Sequence, residues 1–347
     1  MPPRSPKPEG RPAGFAAIVD IGRLAAIPVT SAFKWGVAGR ERLTKIDYSA
    51  VQTLLAIENP IVRKGLHEAF RHEGFGKCVE SFSQESFHQA ISEASFDLII
   101  MAAEIGGFFI AQTIAEMRNG KLTHHSFPIV MMLLAAGEGD YVRKVIDCGP
   151  DDMLLMPVAP GPVLRRIGSF AIHRKPFVVT QDYTGPDRRK QPRPGREKVA
   201  LIEVPNPLQA RIAKLPANRL KDDMETAAVG LNLLKLERYA VQFCWLADTI
   251  ETMFRHNEAD PARLAAFALR MKQIVEDLPP RLQGEVTARI SGLLSALDAG
   301  AGAILHDGAA VDRRHLEQTV NSCRSLAEEI RAALRSRAAA PAGAGPA

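Results

Sequence analysis

Few side chains in this 347-residue sequence are placed to do chemistry, and most of those stand alone. Glu58 closes the apolar run VQTLLAI, where a carboxylate at a strand end could hold a divalent cation. One carboxylate makes a poor magnesium site, because that ion asks for a near-octahedral shell of hard oxygens. A solvated acid, or the cap of a loop, is the simpler reading. Glu104 is the next carboxylate of interest, beyond the run FDLIIMA. His124 and His125 are adjacent in a polar loop with no third ligand in view, so exposure is expected. The four cysteines, Cys78, Cys148, Cys244 and Cys323, have no CxxC spacing. This argues against a zinc site or disulfide framework and fits a reducing, cytoplasmic setting. No metal and no cofactor is expected.

The densest charge is basic. The run DRRKQPRPGREK carries Arg188, Arg189, Lys190, Arg193, Arg196 and Lys198. Between Arg174 and Lys198 there are eight Lys or Arg against three Asp or Glu, a surplus of five that equals the chain's formal charge of +5. Such a run can grip phosphate backbones in a salt-sensitive way. It has no aromatic beyond Tyr183, and no helix-turn-helix pattern accompanies it. A solvated linker is the favoured reading, and nucleic acid is not the favoured partner.

The elements that must position these residues fall into four parts and a tail. Residues 1–48 begin with a basic, proline-rich stretch and hold one segment, GFAAIVDIGRLAAIPV, that could be a short docking helix. No apolar run approaches the roughly 20 residues of a membrane span. Residues 49–173 alternate strand-like and helix-like patterns five times: VQTLLAIEN, KCVESFS, FDLIIMA, FPIVMMLLAA and DMLLMPV are the strands. That alternation predicts an α/β domain, a doubly wound five-stranded parallel sheet with its crevice at the strand C-termini. Residues 174–217 read as an exposed linker. Residues 218–337 carry four apolar stripes at helical spacing, for example Tyr239, Phe243, Leu246, Ile250 and Met253. DLPPR and DAGAGAILHDGAA read as separators, giving an all-α four-helix bundle. Residues 338–347 are a low-complexity tail.

The order and spacing over residues 50–170 resembles the receiver domain of two-component response regulators. The resemblance rests on LLAIENPIVRKGL, FDLII, FPIVMMLLAA and YVRKVIDCGPDDMLLMPV. It implies an acidic pair at Ile57 and Glu58 for magnesium, a phosphoryl-accepting aspartate at Ala102, a Ser or Thr at Leu134 and a lysine at Met156. Only Glu58 matches. Phosphoryl transfer needs a carboxylate nucleophile and cations for the developing charge. With no phosphoryl group to neutralise, a lysine at Met156 would be an unpaired charge, whereas methionine packs. An apolar plug in place of the phosphate site is therefore expected. The phrase DYTGPDRR is similar to a linker that follows receiver domains in alphaproteobacterial regulators.

The resemblance also implies a partner surface around Tyr141, Val142, Leu164 and Ile167. Regulators that resemble this one sometimes end in a histidine phosphotransfer-like bundle; here Phe267 or Ala268 stands where the histidine would be, so the bundle reads as an interaction or dimerisation module. The reading is a non-catalytic adaptor of a phosphorelay: a pseudo-receiver that binds a histidine kinase, a response regulator or a related signalling protein. A homodimer through the bundle is a further expectation. Phosphotransfer through an acceptor such as Glu104, and nucleic-acid binding through the basic run, are the alternatives.

Overall fold

The structure is a computed structural model that describes residues 46–122, 127–135, 139–189, 201–282 and 287–339. The N-terminal segment with its expected helix, His124, His125, Lys190, Arg193, Arg196, Lys198, Val286 and the C-terminal tail lie outside the described residues.

Five parallel strands, β1 (Gln52–Ala56), β2 (Lys77–Ser81), β3 (Leu98–Ala102), β4 (Ile129–Leu134) and β5 (Asp152–Leu155), form one sheet in the order β2-β1-β3-β4-β5. Helices α1 (Pro60–Glu73), α2 (Gln84–Glu93), α3 (Gln112–Arg118), α4 (Gly139–Asp147) and α5 (Pro160–Ile172) alternate with them. β3 and β4 are buried at every residue, as strands covered on both faces must be. Their side chains feed two cores. Leu54, Ile99, Val130 and Met132 meet α2, α3 and α4, while Leu55, Ile100, Met131 and Leu133 meet α1 and α5. Local chemistry fixes the helix starts. Asn59 accepts from the amides of Ile61 and Val62, at 2.9 and 3.2 Å, with Pro60 pre-set at the first helical position. Ser83 and Ser86 form a reciprocal capping box on α2. β5 departs from the expected buried strand. It is a half-buried edge strand, and Leu155 is 63% exposed.

Residues 174–189 and 201–217 are not the exposed linker that their proline and arginine content suggested. Phe177–Val179 (β6), Thr184–Pro186 (β7) and Leu201–Ile202 (β8) form a small antiparallel sheet, and Pro207–Ile212 (α6) follows. The anchor is electrostatic. Asp151, at the start of β5, holds Arg118 of α3 at 2.8 Å and Arg174 at 2.9 Å, with all three side chains 3% exposed or less. The spare guanidinium N–H groups reach the carbonyls of Phe127, Pro128, Gly149 and Pro205, so the buried charges are also hydrogen-bonded. Both guanidiniums lie about 5 Å from the ring of Phe177. β7 then closes against the α4–β5 turn. A Cβ on Gly149 would meet Thr184 O at 2.7 Å, and one on Gly185 would meet the Gly149 Cα at 2.9 Å. Only glycine allows two backbones so close, and Gly149 also has φ +81°.

The remaining residues build the bundle from α7 (Ala217–Arg255), α8 (Pro261–Arg281), α9 (Ala288–Asp307) and α10 (Arg313–Ala339). α7 belongs to two cores. Leu220, Met224, Ala227, Leu231 and Leu234 pack on Phe127, Phe177 and Val179, while Leu236 to Met253 enter the bundle. Both separators turn out to be helical. Pro279 and Pro280 sit in the last turn of α8 and remove two i to i−4 amide donors, and the helix holds there with Leu278 and Leu282 fully buried on either side. The glycines of DAGAGAILHD lie inside α9, since Ile290, Leu294, Leu297, Ala301 and Ile304 continue one buried stripe across them. That burial outweighs a helix penalty of about 1 kcal/mol per glycine. Leu282 is the C-cap of α8, with its side chain in the bundle core. By length and a mean hydropathy of 1.2 alone α9 meets the requirement for a membrane span, and here it packs between α8 and α10.

Replacing Asp151 by Ala leaves two buried arginines without their counter-charge. The variant is expected to lose about 3–5 kcal/mol of stability, read from the urea unfolding midpoint.

Candidate functional site

Ile57, Ala102, Leu134 and Met156 lie at the C-terminal ends of β1, β3, β4 and β5, along one edge of the sheet. Their backbones are neighbours through register: Ala102 pairs with Leu133, Leu134 pairs with Leu155, and Met156 N–H donates to Leu134 O at 2.7 Å. Their side chains do not form the single plug expected. Ile57 and Met156 join the core under α1 and α5, and Ala102 and Leu134 join the core under α2, α3 and α4. Strand alternation explains this, since residues that end adjacent strands need not face the same side. Ile57, Ala102 and Leu134 are buried and Met156 is half-buried.

Glu58 is what remains of the acidic pair that the resemblance implies, and it is already engaged. Its Oε2 accepts from Gly106 N–H at 2.9 Å, across the gap between the loops after β1 and β3. Arg63 holds the same loop from the other side. Its Nη1 donates to Ile57 O at 2.6 Å and Glu58 O at 2.9 Å, and its Nε pairs with Glu80 at 2.9 Å. The loop after β3 is a tight turn: Ile105 and Phe108 exchange two backbone hydrogen bonds at 3.0 Å, with Gly106 and Gly107 at φ +60° and +77°. Positive φ at both central positions is the type I′ pattern that glycine supplies. Magnesium, which the receiver fold implies, does not suit this donor set. Ala102 offers no oxygen ligand from its side chain, Ile57 none, and the Glu58 carboxylate has a backbone amide in hand. Among the described residues no group of three His, Cys, Asp or Glu side chains is arranged to hold a metal.

Glu104, the alternative acceptor, is exposed and lies beside Tyr141 of α4. Burial and then the Glu104 carboxylate raise the Tyr141 phenol above its ordinary pKa. The expected partner surface is only partly a surface. Tyr141, Val142 and Leu164 are half-buried, while Ile167 is fully buried under α5 and is not available to a partner. Sequence reasoning missed the exposure of Leu155, which ends the edge strand β5. Its position at the end of an apolar run gave no signal, because burial of a run depends on which strand lies at the edge.

The basic run is in part structural. Arg188 donates to Pro150 O and to the Tyr183 hydroxyl, and Arg189 pairs with Asp187 at 2.8 Å. Tyr183 Oη donates to Pro186 O at 2.9 Å, and Thr184 Oγ1 bonds Asn119 Oδ1 at 3.1 Å. DYTGPDRR is thus a folded clamp on the start of β5. Its tip is gripped by the bundle. Lys235 Nζ donates to the carbonyls of Thr180 and Gln181 at 3.3 and 2.9 Å, and Arg270 pairs with Asp182 at 2.8 Å. Beside the clamp lies a cleft of about 780 Å³ between the end of α3, α7 and α8, walled by Lys121, Thr184, Glu225, Lys235 and Arg281. Arg281 spans it, bonding Asp277 at 2.6 Å and Asn119 O at 2.9 Å.

In comparisons with known proteins, no family model and no curated protein matches the chain. Among solved structures it is similar to the response regulator DrrB of Thermotoga maritima, an OmpR/PhoB homolog, at 17% identity and a TM-score of 0.30. The match covers 35% of this chain and 52% of that one, so the chain spans about half the length of that regulator. The receiver-like description of the domain rests on its own sheet order and helix alternation.

Burial lowers the Lys235 ammonium from its ordinary 10.5 to about 8, with Arg281 and Arg270 adding to the shift and Asp277 and Asp182 opposing it. The unfolded chain then binds the extra proton between pH 8 and 10.5, so this group makes stability rise with pH across that window and adds no slope below it. The stability of the wild type minus that of Lys235→Met is expected to climb between pH 8 and 10.5 and to be flat from pH 6 to 7.5, measured by urea unfolding.

Proposed function

We propose that this protein is a non-catalytic signalling adaptor of a phosphorelay system, whose receiver-like domain binds a partner without aspartyl phosphorylation. One observation carries the reading: a complete β2-β1-β3-β4-β5 sheet keeps the scaffold while Ile57, Ala102, Leu134 and Met156 stand where phosphoryl chemistry needs oxygens and a cation. The partner class is a histidine kinase, a response regulator or a related signalling protein. The contact surface is the outer side of β5 with its flanking helices, where Leu155 is 63% exposed and Tyr141, Val142 and Leu164 are half-buried. The domain boundaries follow from the same reading, with residues 174–189 and 201–217 moved from linker to clamp.

The clamp supplies a reason for a receiver fold without a switch. Asp151 immediately precedes β5, the strand that presents Leu155, and the same aspartate anchors Arg174 and through it the small sheet and α7. The surface and the bundle are thereby held in one arrangement. Output is set by abundance and by which partner is present.

Tagged protein recovered from its own cells, with and without nuclease, is expected to bring a signalling protein whose yield nuclease does not change. Leu155→Asp is expected to reduce that recovery about tenfold, the cost of placing a charge in an apolar contact. In parallel, a small acyl phosphate with magnesium is expected to leave the mass of the protein unchanged. A phosphoryl adduct on Glu104 revives the phosphotransfer alternative. Mainly nuclease-sensitive recovery, lost on neutralising Arg188 to Lys198, moves the function to the basic run.

A further inference from the structure

We propose that Glu58 is a loop staple that replaces a metal: its bond to Gly106 ties the ends of β1 and β3 directly and holds this edge of the sheet in one conformation without an ion. A divalent cation shared by carboxylates at the ends of β1 and β3 would join the same two loops. Here the far ligand is gone at Ala102, and the surviving carboxylate reaches past it to the Gly106 amide at 2.9 Å.

Three features make the reach specific. The Ile105–Phe108 turn, closed at both ends at 3.0 Å, leaves the Gly106 amide outside its own hydrogen bonds and pointed at the β1 loop. Ala103 and Ile105, each 1% exposed, root the turn in the core, and Ala111 N–H returns to Ala103 O at 3.1 Å. Arg63 fixes the backbone that carries Glu58, through the carbonyls of residues 57 and 58, and is itself set by Glu80 and by the Phe82 ring at 5.4 Å. The result is a chain of contacts from β2 through β1 to β3 across the strand ends. Phe82 and Phe108, 59% and 57% exposed, are displayed by the elements so tied.

The inference rests on the pocket being without phosphoryl chemistry, as proposed above, but it is read by a different measurement. Amide hydrogen exchange of the full chain, resolved at Gly106, tests it directly. Glu58→Ala is expected to speed exchange at Gly106 about tenfold, as for loss of one charge-assisted hydrogen bond at a solvent-facing site. Glu58→Gln, which keeps an oxygen acceptor, is expected to retain most of the protection. Millimolar magnesium is expected to leave the wild-type rate unchanged. Exchange in Glu58→Ala equal to wild type overturns the staple. So does magnesium that speeds Gly106 exchange in the wild type, because the ion has then taken the carboxylate. Since Glu58 is exposed, the urea midpoint of both variants is expected to match that of wild type, which separates loop release from unfolding. Either failure leaves the mass test for phosphorylation standing on its own result.

Discussion

Asp151 between Arg118 and Arg174 is the contact on which the arrangement of the molecule depends. Three ionised side chains are held almost entirely out of water, and burial brings Arg118 down to about 10, still charged at neutral pH. Such a group is tolerable only if every donor finds an oxygen, and here the carbonyls of Phe127, Pro128, Gly149 and Pro205 complete the shell. Those carbonyls come from the entry to β4, the entry to β5 and the segment before α6. The charge cluster therefore sets how the parallel sheet, the small sheet and the bundle meet.

From that junction the structure extends rigidly in one direction. α7 is a single helix of 39 residues, about 58 Å at 1.5 Å per residue. Its first half is buried against the small sheet and its second half in the bundle, so neither domain can turn about it without breaking a hydrophobic core. Lys235, Arg270 and Arg281 add cation-to-carbonyl contacts from the bundle to the clamp and to the end of α3. Among the described residues the opposite edge of the sheet carries no such docking. It is closed by short hydrogen bonds among its own loops, and its apolar side chains remain on display.

The two ends of the sheet thus have different physics. At the N-terminal end, charge is buried, paired and used to join domains: Asp97, raised above its ordinary pKa by burial, accepts from the Gln52 amide and from Arg211 of α6. At the C-terminal end, charge has been withdrawn from the pocket. What remains, Glu58 and Arg63, is spent on backbone amides and carbonyls. An acid that serves as a hydrogen-bond acceptor for a loop needs no partner for catalysis, only a fixed distance to one amide.

The sequence by itself determined the five strand–helix units and the four apolar stripes, because period 2 and period 3.6 patterns are local and survive without knowledge of neighbours. It also determined which chemistry the strand ends lack, since Ile57, Ala102, Leu134 and Met156 have no oxygen or cation in their side chains whatever surrounds them. It misread residues 174–189 and 201–217, where proline and arginine look solvated unless their partners are known. Arg174 meets Asp151 from 23 positions away, and Arg211 meets Asp97 from 114. It misread Ile167 and Leu155 for the same reason, as one faces the core under α5 and the other ends the edge strand. Only the tertiary structure decided that DYTGPDRR is a clamp and that Glu58 grips Gly106, because both depend on contacts between segments far apart in the chain, and no local pattern encodes the distance between them.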